Sequence, residues 1–272
     1  MAGFIRMFIG ILIVCAGLRS ERAWAWGKDG HRIVCGIAWD EMRPTTRDRV
    51  KRLLDVVDRE AFAETCNWAD EHRNHGHRQT APWHFVNVPP YATKVELARD
   101  CAKPKSCVVA QITEHEGVLR SNAPDDQKAM ALKFLAHFVG DVHQPLHVSH
   151  AEDRGGNAIK LRFMRRKSDL HAVWDVEMLR ETRKSWQQIA RELEREITDK
   201  QRREWIGSDP LAWADESLVI TKAPDTGYTD HDDGAHLGEE YQHRALPVVY
   251  LRLSQAGIRL GYLLNGIFQS ER

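Results

Sequence analysis

Ala136-His137-Phe138-Val139-Gly140-Asp141-Val142-His143-Gln144-Pro145-Leu146-His147 is the stretch on which the reading of this chain turns. It sets three histidines and one aspartate within eleven residues, at the end of an apolar run that begins at Ala129. His137 and Asp141 are four apart, so on a helix they project from one face, one turn above the other. At 100° per residue, His143 turns well away from that face. Pro145 has no N–H and ends or kinks the helix, which lets His147 return toward the same point. An imidazole and a carboxylate one turn apart, with a second imidazole after a break, suit a metal site. The plainer reading is a helix with satisfied core histidines, and the rest of the chain decides between the two.

The chain has 272 residues, with 39 basic and 39 acidic side chains. Its first 25 residues read as an export signal: Arg6, an apolar run from Met7 to Leu18, and Ala23-Trp24-Ala25 as an A-x-A cleavage sequence. The apolar run is too short to span a bilayer comfortably, and no later stretch reads as transmembrane. The mature protein, residues 26–272, is expected to be secreted or periplasmic and off the membrane. Cleavage removes three arginines and one glutamate, leaving 36 basic and 38 acidic residues and a net charge of −2. That argues against a protein held on duplex nucleic acid by a broad basic face. It leaves room for a nuclease that grips phosphate with metal ions. Four cysteines remain after cleavage: Cys35, Cys66, Cys101 and Cys107. An even count in an exported chain suggests disulfides. Cys101 and Cys107 bracket a short loop and are expected to pair, leaving Cys35 with Cys66; four reduced thiols are the competing reading.

Helical periodicity covers Trp26 to Asp40, a helix opened by Pro44, a short helix reaching Asp70, Val108 to Leu119, and a helix opened by Pro124-Asp125-Asp126 that runs into the opening stretch. Residues 72–82 read as a polar loop and Trp83 to Val88 as extended. Asn157 to Met164 alternates apolar and polar residues and reads as a strand. His171 to Leu179, Glu181 to Thr198, Leu211 to Ile220 and Glu239 to Gly266 complete the helices. No repeat, linker or low-complexity tract interrupts them, so the mature chain reads as a single, mostly α domain.

Four further segments carry chemistry. Trp26-Gly27-Lys28-Asp29-Gly30-His31 would open the mature chain, and a free α-amino group, pKa roughly 8, beside a histidine is a potential chelate. Trp68-Ala69-Asp70-Glu71-His72-Arg73 sets a carboxylate and a guanidinium three apart, suited to a metal and its anionic ligand; a surface ion pair is the plainer reading. Trp83-His84-Phe85-Val86-Asn87 sets a histidine in an apolar segment, where a core histidine is the usual reading. Asp169-Leu170-His171-Ala172-Val173-Trp174-Asp175 repeats the i,i+4 His/Asp pattern. Together these offer five histidines, three aspartates and a terminal amine. That set suffices for three zinc ions with open positions for water, and no sulfur ligand or redox chemistry points to another metal. His72, His75 and His77, and Asp230-His231-Asp232-Asp233 with His236, read as solvated loops. His115, His143, His150 and His243 receive no role.

In order along the chain stand W-G-x-x-G-H, W-A-D-x-x-R, W-H-F-V-N, H-F-x-G-D-x-H-Q-P-L-H, G-G-N and H-x-x-W-D. With these motifs the chain resembles the secreted single-strand-specific zinc nucleases of fungi, plants and bacteria, from Trp26 to about Gly266. The resemblance implies their fold, shared with zinc-dependent phospholipase C: a compact helical domain with a small β-hairpin, here expected as a monomer. It implies that Asp70, His84 and His137 hold one zinc, the Trp26 amine and carbonyl with His31 a second, and His147, His171 and Asp175 a third, with Asp141 bridging the first two. Arg73 matches the family's phosphate-orienting arginine, Phe85 its base-stacking aromatic, and Asn157 its site rim. Plant relatives pair cysteines at positions matching Cys35–Cys66 and Cys101–Cys107. Asn87 departs from the fungal aspartate that reads the base. Arg154 replaces an apolar residue of the base pocket, adding phosphate affinity or a cation–π contact. The activity implied is hydrolysis of single-stranded DNA and RNA to 5′-phosphate products, with 3′-nucleotidase activity on 3′-mononucleotides. The competing readings are a phospholipase C on the same scaffold, against which Asp175, Phe85 and Arg73 speak, and a non-enzymatic secreted zinc-binding protein, in which Arg73 and Phe85 would have no reason to flank the ligands.

Overall fold

The apolar run before the opening stretch forms α7, Asp125–Val142, in the computed structural model, which describes residues 26–101, 106–226 and 234–269. The expected export signal and Asp230 to Asp233 lie outside the described residues. Pro124 precedes the first turn of α7, and Asp125 and Asp126 within it complement the helix dipole. From Phe134 to Val142 every residue is buried, so the C-terminal half of α7 has no solvent face. A helix that is buried all round has to lie in the middle of a bundle.

The helices before α7, in chain order, are α1 (Lys28–Glu41), α2 (Pro44–Leu54), α3 (Arg59–Thr65), α4 (Trp68–Asn74), α5 (Leu97–Asp100) and α6 (Val108–Arg120). After α7 come the short α8 (Leu170–Ala172), α9 (Met178–Glu181), α10 (Trp186–Glu196), α11 (Asp199–Trp205), α12 (Pro210–Thr221) and the 29-residue α13 (Glu239–Ile267). α6, α13, α4, α1, α2 and α12 all pack on α7, and α1 lies along α13. The buried apolar residues form one continuous core. Burying an apolar face stabilises by about 25 cal/mol per Å², and this shared core gives each amphipathic helix its partner. α10 and α11 start on capping boxes, Ser185 with Gln188 and Thr198 with Gln201. The core also holds Arg252 and Arg259 of α13, both paired to Glu216 of α12. Arg259 donates to His143 Nε2 at 2.8 Å while His143 Nδ1 donates to Val139 O at 2.7 Å. His143 is thus a hydrogen-bonded core histidine.

Three strands form a small sheet. β3 (Lys160–Phe163) and β4 (Arg166–Asp169) make the expected hairpin, and β5 (His236–Leu237) pairs parallel to β3. A second, two-residue pairing joins β1 (Val86–Asn87) to β2 (Val148–Ser149) in parallel, with Val86 opposite Val148. This pairing sets the segments that carry His84 and His147 side by side.

Several expectations shift. The short helix before Asp70 is two helices, α3 and α4, separated by Cys66 and Asn67. The loop at 72–82 is partly ordered: α4 continues to Asn74, and Arg78–His84 is a 3-10 helix, so only the end of the 83–88 segment is extended. The strand starts at Lys160 and not at Asn157, because Arg154, Gly155 and Gly156 turn the chain with positive φ. α5, α11 and the strands β2, β4 and β5 were beyond the periodicity reading, whereas β1 falls within the segment read as extended. The disulfides are Cys35–Cys66 and Cys101–Cys107. Among the described residues no helix is long and apolar enough to cross a membrane.

Candidate metal centre

α7 delivers His137 and Asp141 to one buried point, with His137 Nε2 3.2 Å from Asp141 Oδ2. Around them gather side chains from three other segments. His84, at the end of the 3-10 helix, brings Nδ1 to 3.0 Å from both His137 Nε2 and Asp141 Oδ2. Asp70 from α4 places Oδ1 3.7 Å from His84 Nδ1 and 3.8 Å from His137 Nε2. His31 from α1 faces the other carboxylate oxygen, with Nε2 3.4 Å from Asp141 Oδ1. Its ring stacks on His137 at 3.8 Å. Gly140 makes this possible: a Cβ there would lie 2.8 Å from His31 Nδ1. A mid-helix glycine costs about 1 kcal/mol relative to alanine, and here it makes room for an imidazole.

A third group forms on the run α8–α9, whose middle, Val173–Glu177, is a π-helical turn. Such turns are rare and gather at functional sites. His171 Nε2 lies 3.1 Å from Asp175 Oδ2, and the His147 ring stacks 5.1 Å from that of His171. Among the described residues, three groups of donors converge closely enough for a metal ion: His31 with His137 and Asp141; Asp70 with His84 and His137; and His147 with His171 and Asp175. Trp26 is fully buried beside them. Its indole donates to Gly140 O at 2.9 Å, and Gly27 N donates to Asp175 O at 2.8 Å.

The tautomers are set by backbone carbonyls. His137 Nδ1 donates to Cys66 O at 2.7 Å, His147 Nδ1 to His84 O at 2.7 Å, and His171 Nδ1 to Gly155 O at 2.6 Å. A neutral imidazole carries one proton, so in each of the three Nε2 is a lone pair. In His137 and His171 that lone pair faces a carboxylate oxygen, acceptor against acceptor. His31 Nδ1 and Nε2, Asp141 Oδ1 and Asp175 Oδ2 are buried with no hydrogen-bond partner. Buried polar atoms left so are costly, and a cation among them satisfies all at once. The residues present fit metal ions of the nitrogen- and oxygen-liganded kind.

Without a cation, protons take part of that role. Burial pushes the Asp141 carboxyl up to about 7, against the pull of His137. Burial also raises Asp70 and Asp175. It lowers His31, His84 and His147 well below the ordinary histidine value, helped by neighbouring imidazoles. For His137 and His171 burial acts in the same direction, but Asp141 with Asp70, and Asp175, outweigh it and raise both.

Above the groups opens a cavity of about 350 Å³ lined by His84, His147 and His171 and by Arg73, Phe85, Asn87, Arg154 and Asn157. Every residue proposed from sequence to touch substrate thus borders one space. Arg73 Nη2 lies 3.0 Å from Asp70 Oδ1. Phe85 is 37% exposed, unusual for a large apolar side chain beside a buried polar cluster. Gly155, with φ +64°, passes under the cavity so closely that a Cβ would lie 2.6 Å from Leu146 O.

The sequence profile of the S1/P1 nuclease family matches residues 26–269. This chain belongs to the S1/P1 nuclease family. Among its relatives, Endonuclease 4 of Arabidopsis thaliana is 34% identical over 299 residues, spanning 100% of this chain and 98% of the relative. Nuclease S1 of Aspergillus oryzae is 26% identical over 90% of this chain and 93% of its own length. Nuclease P1 of Penicillium citrinum is 28% identical over 90% and 99%. An S1/P1 nuclease is a hydrolase of phosphodiester bonds, and membership of a nuclease family sets the nuclease reading above the phospholipase C reading.

One participant had no role in the sequence reading. Gln144 is fully buried, donates from Nε2 to Asp175 Oδ1 at 2.5 Å, and accepts from Leu146 N at 2.6 Å. It joins the α7 end of the site to the third group. Its place between His143 and Pro145 was the available signal, since a buried amide needs partners at both ends.

Proposed function

We propose that the protein is a secreted zinc-dependent endonuclease that cleaves single-stranded DNA and RNA to 5′-phosphate products and also hydrolyses 3′-mononucleotides. The observation that carries this reading is the convergence of three buried metal-ligand groups beneath one cavity whose wall holds an exposed phenyl ring and a guanidinium. Asp70, His84 and His137 hold one zinc, His31 and the Trp26 terminus a second, and His147, His171 and Asp175 a third, with Asp141 shared by the first two. Bound zinc supplies a nucleophilic water at neutral pH and positive charge for the phosphate oxygens.

The chain's own residues do the rest. Asp141 turns one oxygen toward His31 and the other toward His84 and His137, so one carboxylate fixes two sites relative to each other. Arg73, held by Asp70, presents its guanidinium to a non-bridging phosphate oxygen and offsets charge as it develops. Phe85 offers a face to one base, and such stacking contributes about 1–3 kcal/mol and requires an unpaired, unstacked nucleotide. Asn87 and Asn157 supply amide groups at the cavity wall for base or sugar edges, and Arg154 a cation over the same space. Cleavage of the P–O3′ bond leaves phosphate on the 5′ side of the product.

Removal of residues 1–25 is part of the proposal, because only a chain starting at Trp26 has an amine there; the mature enzyme, residues 26–272, acts as a monomer. Purified mature protein given single-stranded DNA, 3′-AMP and phosphatidylcholine, with and without chelator, tests the reading. It should cleave the first two, spare the lipid and lose activity with chelator. Turnover of the lipid alone, or of none of them after zinc loading, would contradict it.

A further inference from the structure

Between Arg154 and Lys167 the chain carries six cations, Arg154, Lys160, Arg162, Arg165, Arg166 and Lys167, and no carboxylate, in a protein whose formal net charge is zero. The fold concentrates them. Leu161 and Phe163 of β3 point into the core, so Lys160 and Arg162 point out, and Arg165, Arg166 and Lys167 are exposed at the turn and on β4.

Two observations separate this hairpin from an ordinary solvated one. The first is register. Lys160 stands opposite Asp169 and pairs with it at 3.1 Å, but the next outward pair sets Arg162 directly opposite Lys167. Like charges facing across a ladder destabilise a sheet, and no ion pair reaches Arg154, Arg162, Arg165 or Lys167 among the described residues. An anion lying along the strands removes that cost. The second is continuity with the site. Arg154 and Asn157 line the cavity, Lys160 Nζ donates to Asn157 O at 2.8 Å, and β4 runs into His171 two residues after Asp169. The hairpin therefore starts at the cavity rim and carries these cations, unpaired among the described residues, away from it, about 3.3 Å per residue.

We infer that the β3–β4 hairpin is an arm that binds the phosphates of a polynucleotide beyond the nucleotides held in the cavity. This rests on the nuclease reading above. It assigns Arg162, Arg165 and Lys167 to the affinity for a polymer and leaves hydrolysis itself to the cavity. A 3′-mononucleotide has no phosphate to reach the arm, whereas a strand of some twenty nucleotides does.

The test replaces Arg162, Arg165 and Lys167 together by glutamine in the zinc-loaded mature enzyme. Kinetics are followed on a 20-nucleotide single strand and on 3′-AMP as salt is varied. Each phosphate neutralised on a single strand contributes about −0.7 to the slope of log affinity against log salt. The variant's slope for kcat/KM on the strand should be shallower by about 2, with KM raised roughly tenfold at low salt. Its 3′-AMP kinetics should match the wild type. A control replacing Arg191, Lys200 and Arg203 on α10 and α11 removes the same charge from another surface and should leave the slope unchanged. An unchanged slope in the hairpin variant, an equal loss on both substrates, or the same effect from the control overturns the arm. Binding of the hairpin to phosphatidylserine vesicles without an effect on the strand also overturns it, in favour of a membrane partner. Failure of the wild type to cleave either substrate would instead sink the nuclease reading itself.

Discussion

Replacing Asp141 by asparagine should move the stability of the metal-free and metal-loaded proteins in opposite directions. In the metal-free protein Asp141 is a fully buried carboxyl pushed from 3.8 to about 7 by that burial. A carboxyl whose folded pKa lies above its unfolded value costs native stability as pH rises through that interval and onward. A rise of that size corresponds to about 4 kcal/mol, reduced because His137 would lose its counter-charge. The asparagine amide ionises at no pH, so at pH 8 the metal-free variant should be more stable by roughly 2–3 kcal/mol, or about 5–10 °C in melting temperature. Below about pH 3 the gain should vanish, because aspartate is then largely protonated folded and unfolded alike. With zinc present the sign reverses. An amide keeps one oxygen but turns an NH₂ toward the other set of ligands, so metal content should fall from three toward one. Turnover should drop at least about 10³-fold, some 4 kcal/mol in barrier. Differential scanning calorimetry with and without chelator, with metal analysis of the same samples, reads both signs. A variant that binds three zinc ions, or whose metal-free form melts no higher than wild type at pH 8, would refute the shared role of Asp141.

Extra residues left before Trp26 would turn its amine into an amide, and such a protein should bind one zinc fewer than the processed chain by mass spectrometry. Phe85→Ala should raise KM on single-stranded DNA by about 5–150-fold, the equivalent of one lost stack, with kcat changed far less; steady-state kinetics decide it. Replacing Cys35 and Cys66 together by serine opens a crosslink between residues 31 apart and should cost about 3.5 kcal/mol in urea unfolding. Because Cys66 O holds His137 Nδ1, the same variant should also bind zinc more weakly.

The long helices were legible because burial leaves its period in the sequence. α7 and α13 announce themselves by apolar residues that recur through many turns, and α7 also by Pro124 and two first-turn aspartates. The candidate ligand groups were legible for a different reason: His137 with Asp141 and His171 with Asp175 are too costly to bury at helical spacing without a partner. What periodicity did not carry was set by tertiary contacts. β1 and β2 are two residues each and exist because the His84 and His147 segments meet. α11 is seven residues with one buried side chain, Trp205, too little for a period to register. Residues 78–82 looked like a loop for their polar residues, and Trp83-His84 like the start of an extended segment, yet both lie in one 3-10 helix in which Thr80 and His84 are buried. The π turn holding Asp175 leaves no periodic signal, and the pairing of Gln144 with that carboxylate belongs to no local pattern, because it joins residues 31 positions apart.

Whether α7 organises three metal sites under one cavity is tested most directly by zinc titration of the processed, metal-free chain, followed by metal analysis and single-strand cleavage on each sample. Three zinc ions per chain should bind, with cleavage appearing only as the shared sites fill and disappearing on chelation. A stoichiometry of one or none, or full cleavage by the chelated protein, would contradict it.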